Sequence, residues 1–297
     1  MATIKNILIP TDFSETANLA VAHGANMAHL FNAKMFLLHS VEPFTAINAP
    51  GEPALVMEAE NMYNDGVAQL KKVASEITQK YNVDITTITV NGKPAAAISE
   101  AVKDNNIDII VMGTHGASGF EEFFIGSNTH KVVNLATCPV ISIQATSKNV
   151  GFSNIVAPIS NSTHSRQKIN NIIELASKYN STVHLLGLLE TNDPVDAKKF
   201  DIKLESVENM LKKANIKFTK KLVHGHNPAV EAMKFSEEVN GDLIVIMTDH
   251  ESDLTGMFLG TVAKQIVNHS KIPVMSIRPI ASDVEAFDPA GGTGEIL

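Results

Sequence analysis

The apolar positions of this chain fall in short runs set between longer stretches of helical spacing. Runs of β-branched and aliphatic residues occupy roughly 4–9, 34–40, 84–90, 107–112 and 139–143, the length and composition of buried strands. Between the first two runs, Ala17, Ala20, Val21, Gly24 and Ala28 share one face at helical spacing, and Ser14 is placed to cap it. The order is strand, helix, strand, long helix, strand, helix, strand, helix, strand. Such alternation predicts a parallel sheet with right-handed crossovers and a ligand site at the carboxyl ends of the strands.

The plan occurs twice. Lys5-Asn6-Ile7-Leu8-Ile9-Pro10 returns 148 residues on as Ser153-Asn154-Ile155-Val156-Ala157-Pro158, and the same offset carries Leu37-Leu38 onto Leu185-Leu186. Further along, Pro94-Ala95, Asp108, Val111, Gly126 and Pro139-Val140 return 134 residues on as Pro228-Ala229, Asp242, Val245, Gly260 and Pro273-Val274. The difference of 14 residues places an extra segment in the first copy between about Val41 and Val90, and the stretch from Pro43 to Pro53 has loop composition. A length of 297 residues suits two units of about 150. The expected fold class is therefore α/β, with two tandem Rossmann-like (flavodoxin-like) domains, each a five-stranded parallel sheet flanked by helices. Their expected bounds are 1–146 and 151–280, either side of the polar stretch Thr146 to Gly151, with 281–297 as a tail.

Composition narrows the partners. With 44% hydrophobic and 19% charged residues the chain is neither disordered nor fibrous, and no apolar run reaches the roughly 18 residues of a membrane span. The first residues enter a strand-like run without a basic region or cleavage site, so a soluble, cytoplasmic protein is expected. A net charge of −8 argues against nucleic acid or an anionic membrane as the main partner. A small phosphate is unaffected by that argument, because it needs local N–H donors. The single cysteine, Cys138, sits before Pro139 and reads as an inert buried thiol.

The chemistry concentrates in one stretch. The run Ile107 to Met112 feeds Gly113-Thr114-His115-Gly116, and nine residues later Gly126-Ser127 opens a helix. A glycine-marked turn after a buried strand exposes backbone N–H groups to a phosphate chain, and the helix N-terminus favours an anion. Lacking Cβ, Gly113 lets the chain turn while a ribose or phosphate approaches. Asp12, at the carboxyl end of the first strand, suits ribose hydroxyls or an adenine amine rather than phosphate. Neither a Gly-x4-Gly-Lys-Ser/Thr loop nor a Gly-x-Ser-x-Gly elbow is present.

Taken together, Pro10-Thr11-Asp12-Phe13-Ser14-Glu15-Thr16-Ala17, His39 ending the second strand and Gly113-x2-Gly116-x9-Gly126-Ser127 resemble the universal stress protein family. The resemblance covers both halves, although only the first carries the full motif. It implies that ATP, or AMP or ADP, is bound in the first half by Pro10, Thr11, Asp12, Ser40, Met112, Gly113, His115, Gly116, Gly126, Ser127, Asn128 and Thr129. Position 40 is usually apolar in the family, and a backbone contact tolerates Ser40. The resemblance also implies pairing of the two halves through their last strands, 139–143 and 273–278, with Ile141, Ile143, Met275 and Ile277 supplying apolar contacts. It leaves open whether such chains form a homodimer. In the second half Asp12 becomes Ser160, Gly113 becomes Met247 and Gly116 becomes His250, while Gly260-Thr261 survives, so ATP binding in the family manner is not expected there.

Three functions fit these residues. One is a regulatory nucleotide-binding module of the stress response, read by an unknown protein partner. Another is a weak ATPase, with Mg²⁺ as an optional ion. No carboxylate or glutamine is identifiable as the positioner of an attacking water, so slow ATP hydrolysis is the most it would achieve. A nucleotide-free scaffold is the third, with a metal in the second half. There His224-Gly225-His226 and Asp249-His250-Glu251 follow neighbouring strands, making His224, His226 and His250 a candidate zinc set without standard spacing. The apolar Ile47, Leu55, Val56 and Met57, in or beside the inserted segment, are expected to pack down, the alternative being a lid.

Overall fold

The computed structural model describes residues 3–42, 53–114, 126–147, 149–162, 164–189, 193–224, 227–248 and 260–279. In the first half the elements are β1 (Asn6–Pro10), α1 (Glu15–Phe31), β2 (Lys34–Val41), α2 (Pro53–Tyr81), β3 (Ile85–Asn91), α3 (Pro94–Asp104), β4 (Ile109–Gly113), α4 (Ser127–Leu135) and β5 (Val140–Ile143). The second half repeats them as β6 (Asn154–Ile159), α5 (Ile169–Tyr179), β7 (Thr182–Leu189), α6 (Pro194–Lys213), β8 (Lys217–His224), α7 (Pro228–Glu238), β9 (Leu243–Met247), α8 (Thr261–His269) and β10 (Val274–Ile277).

Each half forms five parallel strands, and the two sets join edge to edge. The order is β3-β2-β1-β4-β5-β10-β9-β6-β7-β8, one ten-stranded sheet in place of two separate five-stranded ones. At the seam β5 and β10 pair antiparallel, with Val274 opposite Ser142, Met275 opposite Ile141 and Ser276 opposite Val140. The carboxyl ends of the two strand sets therefore lie at opposite edges of the sheet.

The central strands are continuous apolar runs because helices cover both faces. Ile7, Ile9, Val111 and Ile141 belong to a core under α1, α2, α5 and α6. Leu8, Ile110, Val140 and Ile244 face the opposite way, into a core under α3, α4, α7 and α8. The outermost strand β8 reads Lys-Phe-Thr-Lys-Lys-Leu-Val-His and is largely exposed, and its lysines discourage edge pairing with another chain. Repeated devices set the register. Asp108 accepts from the Lys5 and Asn6 backbone N–H groups at 2.8 Å, and Asp242 does the same for Ser153 and Asn154 at 2.7 and 2.9 Å. Asn32, Asn82, Asn106, Asn180, Asn215 and Asn240 all take positive φ just past a helix end, where asparagine tolerates the left-handed turn into the next strand.

Two expectations near the surface are sharpened. Val56 and Met57 do not pack down: they lie on α2 and are 48% and 63% exposed. Ile47 lies outside the described residues, and so does the 281–297 tail. Cys138 is half-buried, and burial pushes its thiol up to about 12. No helix among the described residues is long and apolar enough to cross a membrane.

Candidate functional site

At the carboxyl ends of β1, β2 and β4 a cavity of about 660 Å³ opens between the strand tips and the N-terminus of α4. Pro10, Thr11, Asp12, Ser40, Met112, Gly113, Gly126, Ser127, Asn128 and Thr129 all line it. His115 and Gly116, also named from the sequence, lie outside the described residues. The wall further includes Ala17, Leu38, Glu42, Pro94, Ile98 and Thr114. Sequence reasoning missed these. The strand-helix alternation carried a signal for Pro94, since the turn after β3 must reach the same sheet edge.

Local structure fixes the lining. Ser14 caps α1 by accepting from the Ala17 N–H at 3.2 Å, and the preceding residue, Phe13, takes φ 62° to make the turn. That turn is tied down: Thr11 Oγ1 accepts from the Phe13 N–H at 3.0 Å, and Asp12 Oδ1 accepts from the Ser14 N–H at 3.1 Å. His39 Nδ1 meets the Thr11 carbonyl at 2.8 Å, and its ring lies 4.5 Å from that of Phe13, so this histidine braces the strand tips. Ser40 Oγ donates to the Gly92 carbonyl. Thr129 Oγ1 donates to the Gly113 carbonyl at 2.9 Å, and the Gly126 N–H donates to the Thr114 carbonyl at 2.7 Å, which holds α4 against β4. Among the described residues no side chain caps α4 at Gly126, and its first-turn N–H groups face the cavity with Ser127 and Asn128 exposed beside them.

Gly113 has a different reason for being glycine from the one its position in the motif suggests. A Cβ there would lie 3.1 Å from the Thr16 carbonyl carbon and 3.2 Å from the Ala17 nitrogen, so its bareness lets α1 cross the tip of β4.

The second half has a smaller cavity, about 300 Å³, at the corresponding place. Pro158, Ser160, Met247, Gly260 and Thr261 line it where Pro10, Asp12, Gly113, Gly126 and Ser127 line the first. Met247 fits because α5 begins at Ile169, whereas the counterpart of Glu15, where α1 begins, is position 163. Residues 164–168 form turns there and not helix. Of the candidate zinc set, His224 ends the exposed strand β8, while His226 and His250 lie outside the described residues. Among the described residues no three His, Cys, Asp or Glu side chains stand where they could hold a metal ion, so zinc and magnesium gain no support.

A mostly parallel sheet covered by helices on both faces, with a cavity at the carboxyl ends of its strands, defines a protein of the doubly wound α/β class. The model of the universal stress protein family matches the chain twice, over residues 3–144 and 151–278, and the chain belongs to that family. Universal stress protein MJ0531 of Methanocaldococcus jannaschii is 33% identical over 144 residues, 48% of this chain and 84% of that protein. MJ0577 of the same organism is 30% identical over 153 residues, covering 47% of this chain and 94% of its own. Such relatives match about half of the chain. The whole chain superposes on a universal stress protein from Archaeoglobus fulgidus with a TM-score of 0.71 at 16% identity, covering 94% of this chain and 97% of the other, a likeness of fold.

Proposed function

We propose that the first half binds an adenine nucleotide, ATP foremost, and that the chain works as a cytoplasmic regulatory module rather than as a catalyst. The observation that carries this reading is the cavity at the tips of β1, β2 and β4, whose volume of about 660 Å³ suits a nucleotide-sized ligand. Asp12 offers an acceptor for ribose or base at one side, and the uncapped turn Gly126 to Thr129 offers donors for phosphate at the other. Binding would favour one arrangement of the segments that contact the ligand, and a protein partner preferring that arrangement would read the occupancy.

Titration calorimetry of the intact chain with ATP and with AMP tests the proposal. Saturable binding is expected, weakened about tenfold or more in Asp12→Ala, the loss of one charge-assisted hydrogen bond. Absence of any heat with either nucleotide at millimolar concentration overturns the reading. Binding that survives Asp12→Ala unchanged overturns the assignment of this carboxylate.

A further inference from the structure

We infer that the free edge of β3 is a docking surface for a second copy of this chain, the two β3 strands pairing antiparallel about a two-fold axis. The inference does not rest on nucleotide binding. It starts from an asymmetry between the two ends of the sheet. β3 and β8 are equivalent strands of the repeat, each the outermost of its half. β8 carries Lys217, Lys220 and Lys221, the last two ion-paired with Glu208 and Glu238, and charge of this kind blunts an edge. β3 reads Ile-Thr-Thr-Ile-Thr-Val-Asn, six β-branched residues of seven with no charge and no proline. Asp84, just before it, is ion-paired with Lys34 at 3.8 Å. The guard carried by one end of the sheet is missing from the other.

The backbone pattern fixes what this edge offers. The Met35 N–H donates to the Asp84 carbonyl and the Gly92 N–H to the Val41 carbonyl, both at 2.9 Å, so the even-numbered residues of this stretch face β2. The odd-numbered Ile85, Thr87, Thr89 and Asn91 therefore turn their N–H and C=O groups outward. Among the described residues no strand takes them up. The Thr89 carbonyl accepts from Tyr63 Oη at 3.2 Å and keeps a second lone pair. Two such strands set antiparallel about Ile88 bring Thr87 opposite Thr89 and Ile85 opposite Asn91, so that outward-facing residues meet each other as hydrogen-bonded pairs require. Between them Ile88 meets its own copy and Thr86 meets Val90, β-branched pairs that stabilise a sheet. The strand is thus complementary to itself, which is what a two-fold contact demands. The chain already joins its own halves by an antiparallel edge, β5 to β10. The helix over this edge leaves room for a copy. On α2, Gln69, Lys72 and Glu76 line the groove against α1, so Asn64, Ala68, Lys71, Ser75 and Thr78, at helical spacing, form the flank on the outer side. All five are exposed, and all but Lys71 are short and uncharged.

Sedimentation velocity of the full chain from about 1 µM to about 1 mM tests this. A reversible dimer is expected, its dissociation constant raised about tenfold or more in Thr87→Lys, which places at an exposed position of β3 the charge that β8 carries. Leu222→Lys on β8 is expected to leave the dimer as it is. Amide hydrogen exchange gives a readout that needs no variant: the Thr87 and Thr89 N–H groups should exchange more slowly at dimer-forming than at dilute concentration. A chain that stays monomeric throughout, a dimer indifferent to Thr87→Lys or one lost in Leu222→Lys overturns the proposal. So does exchange at Thr87 and Thr89 that does not change with concentration.

Discussion

A side chain at Gly113 would press on the backbone of α1 at 3.1–3.2 Å, and backbone yields less readily than the end of a flexible side chain. Gly113→Val is therefore expected to lower stability by about 1–3 kcal/mol, the usual cost of overpacking a well-filled interior. Urea unfolding of the ligand-free chain measures it, and a midpoint equal to that of the wild type would show that α1 moves aside freely. Since this glycine serves packing, Asp12→Ala is the cleaner probe of the cavity. That position 113 needs glycine was legible from its place in the motif. The reason was not, because the clash comes from α1, nearly a hundred residues earlier.

The helix α1 was legible as an amphipathic element, yet its buried face includes a residue the pattern does not advertise. His23 is 2% exposed and sits where α1 meets the second half, its ring 5.5 Å from that of Phe152, which in turn meets Tyr179 of α5 at 5.2 Å. Among the described residues neither ring nitrogen of His23 has a hydrogen-bond partner, nor has Asn26 Oδ1, Ser147 Oγ or Tyr179 Oη. Burial pushes the His23 pKa below its ordinary value of 6.5, and burial likewise raises the Tyr179 phenol. A histidine held neutral in the folded state binds its proton more readily when unfolded. Its contribution is therefore complete above about pH 6.5 and falls as the pH drops toward the lowered folded value, at up to about 1.4 kcal/mol per pH unit. His184 and His130 are shifted the same way by burial, so the whole chain carries this slope. His23→Leu should reduce the slope by one proton's share and leave stability near pH 7 equal or higher. Unfolding free energies measured from pH 5 to 8 decide it, and an unaltered slope would place the effect elsewhere.

At the scale of the molecule, the repeat made two α/β units legible, and the family resemblance implied their pairing through the last strands, which β5 and β10 carry out; the residues alone did not show that the join makes one continuous sheet. Edge pairing is settled by which strands remain uncovered once each half has folded, and β5 and β10 are four-residue strands with few positions to read. Their seam is buried throughout, with Ile141, Ser142, Val274 and Met275 fully inaccessible and Ser142 Oγ donating to the Val274 carbonyl at 3.2 Å. The core under α1, α2, α5 and α6 crosses it without a break. Unfolding either half would strip the other, so scanning calorimetry is expected to give a single transition whose calorimetric and van't Hoff enthalpies agree. Two resolved transitions would show that the halves melt separately. The antiparallel seam has one more consequence. It turns the chain into a two-ended object, each end presenting its own mouth to solvent with a full sheet between them. An occupant of one mouth cannot touch or crowd an occupant of the other, and a protein docked at one end leaves the far end free. A duplicated half facing away from its twin is at liberty to change its tastes, and any conversation between the two ends has to pass through the short β5–β10 join and the core that spans it.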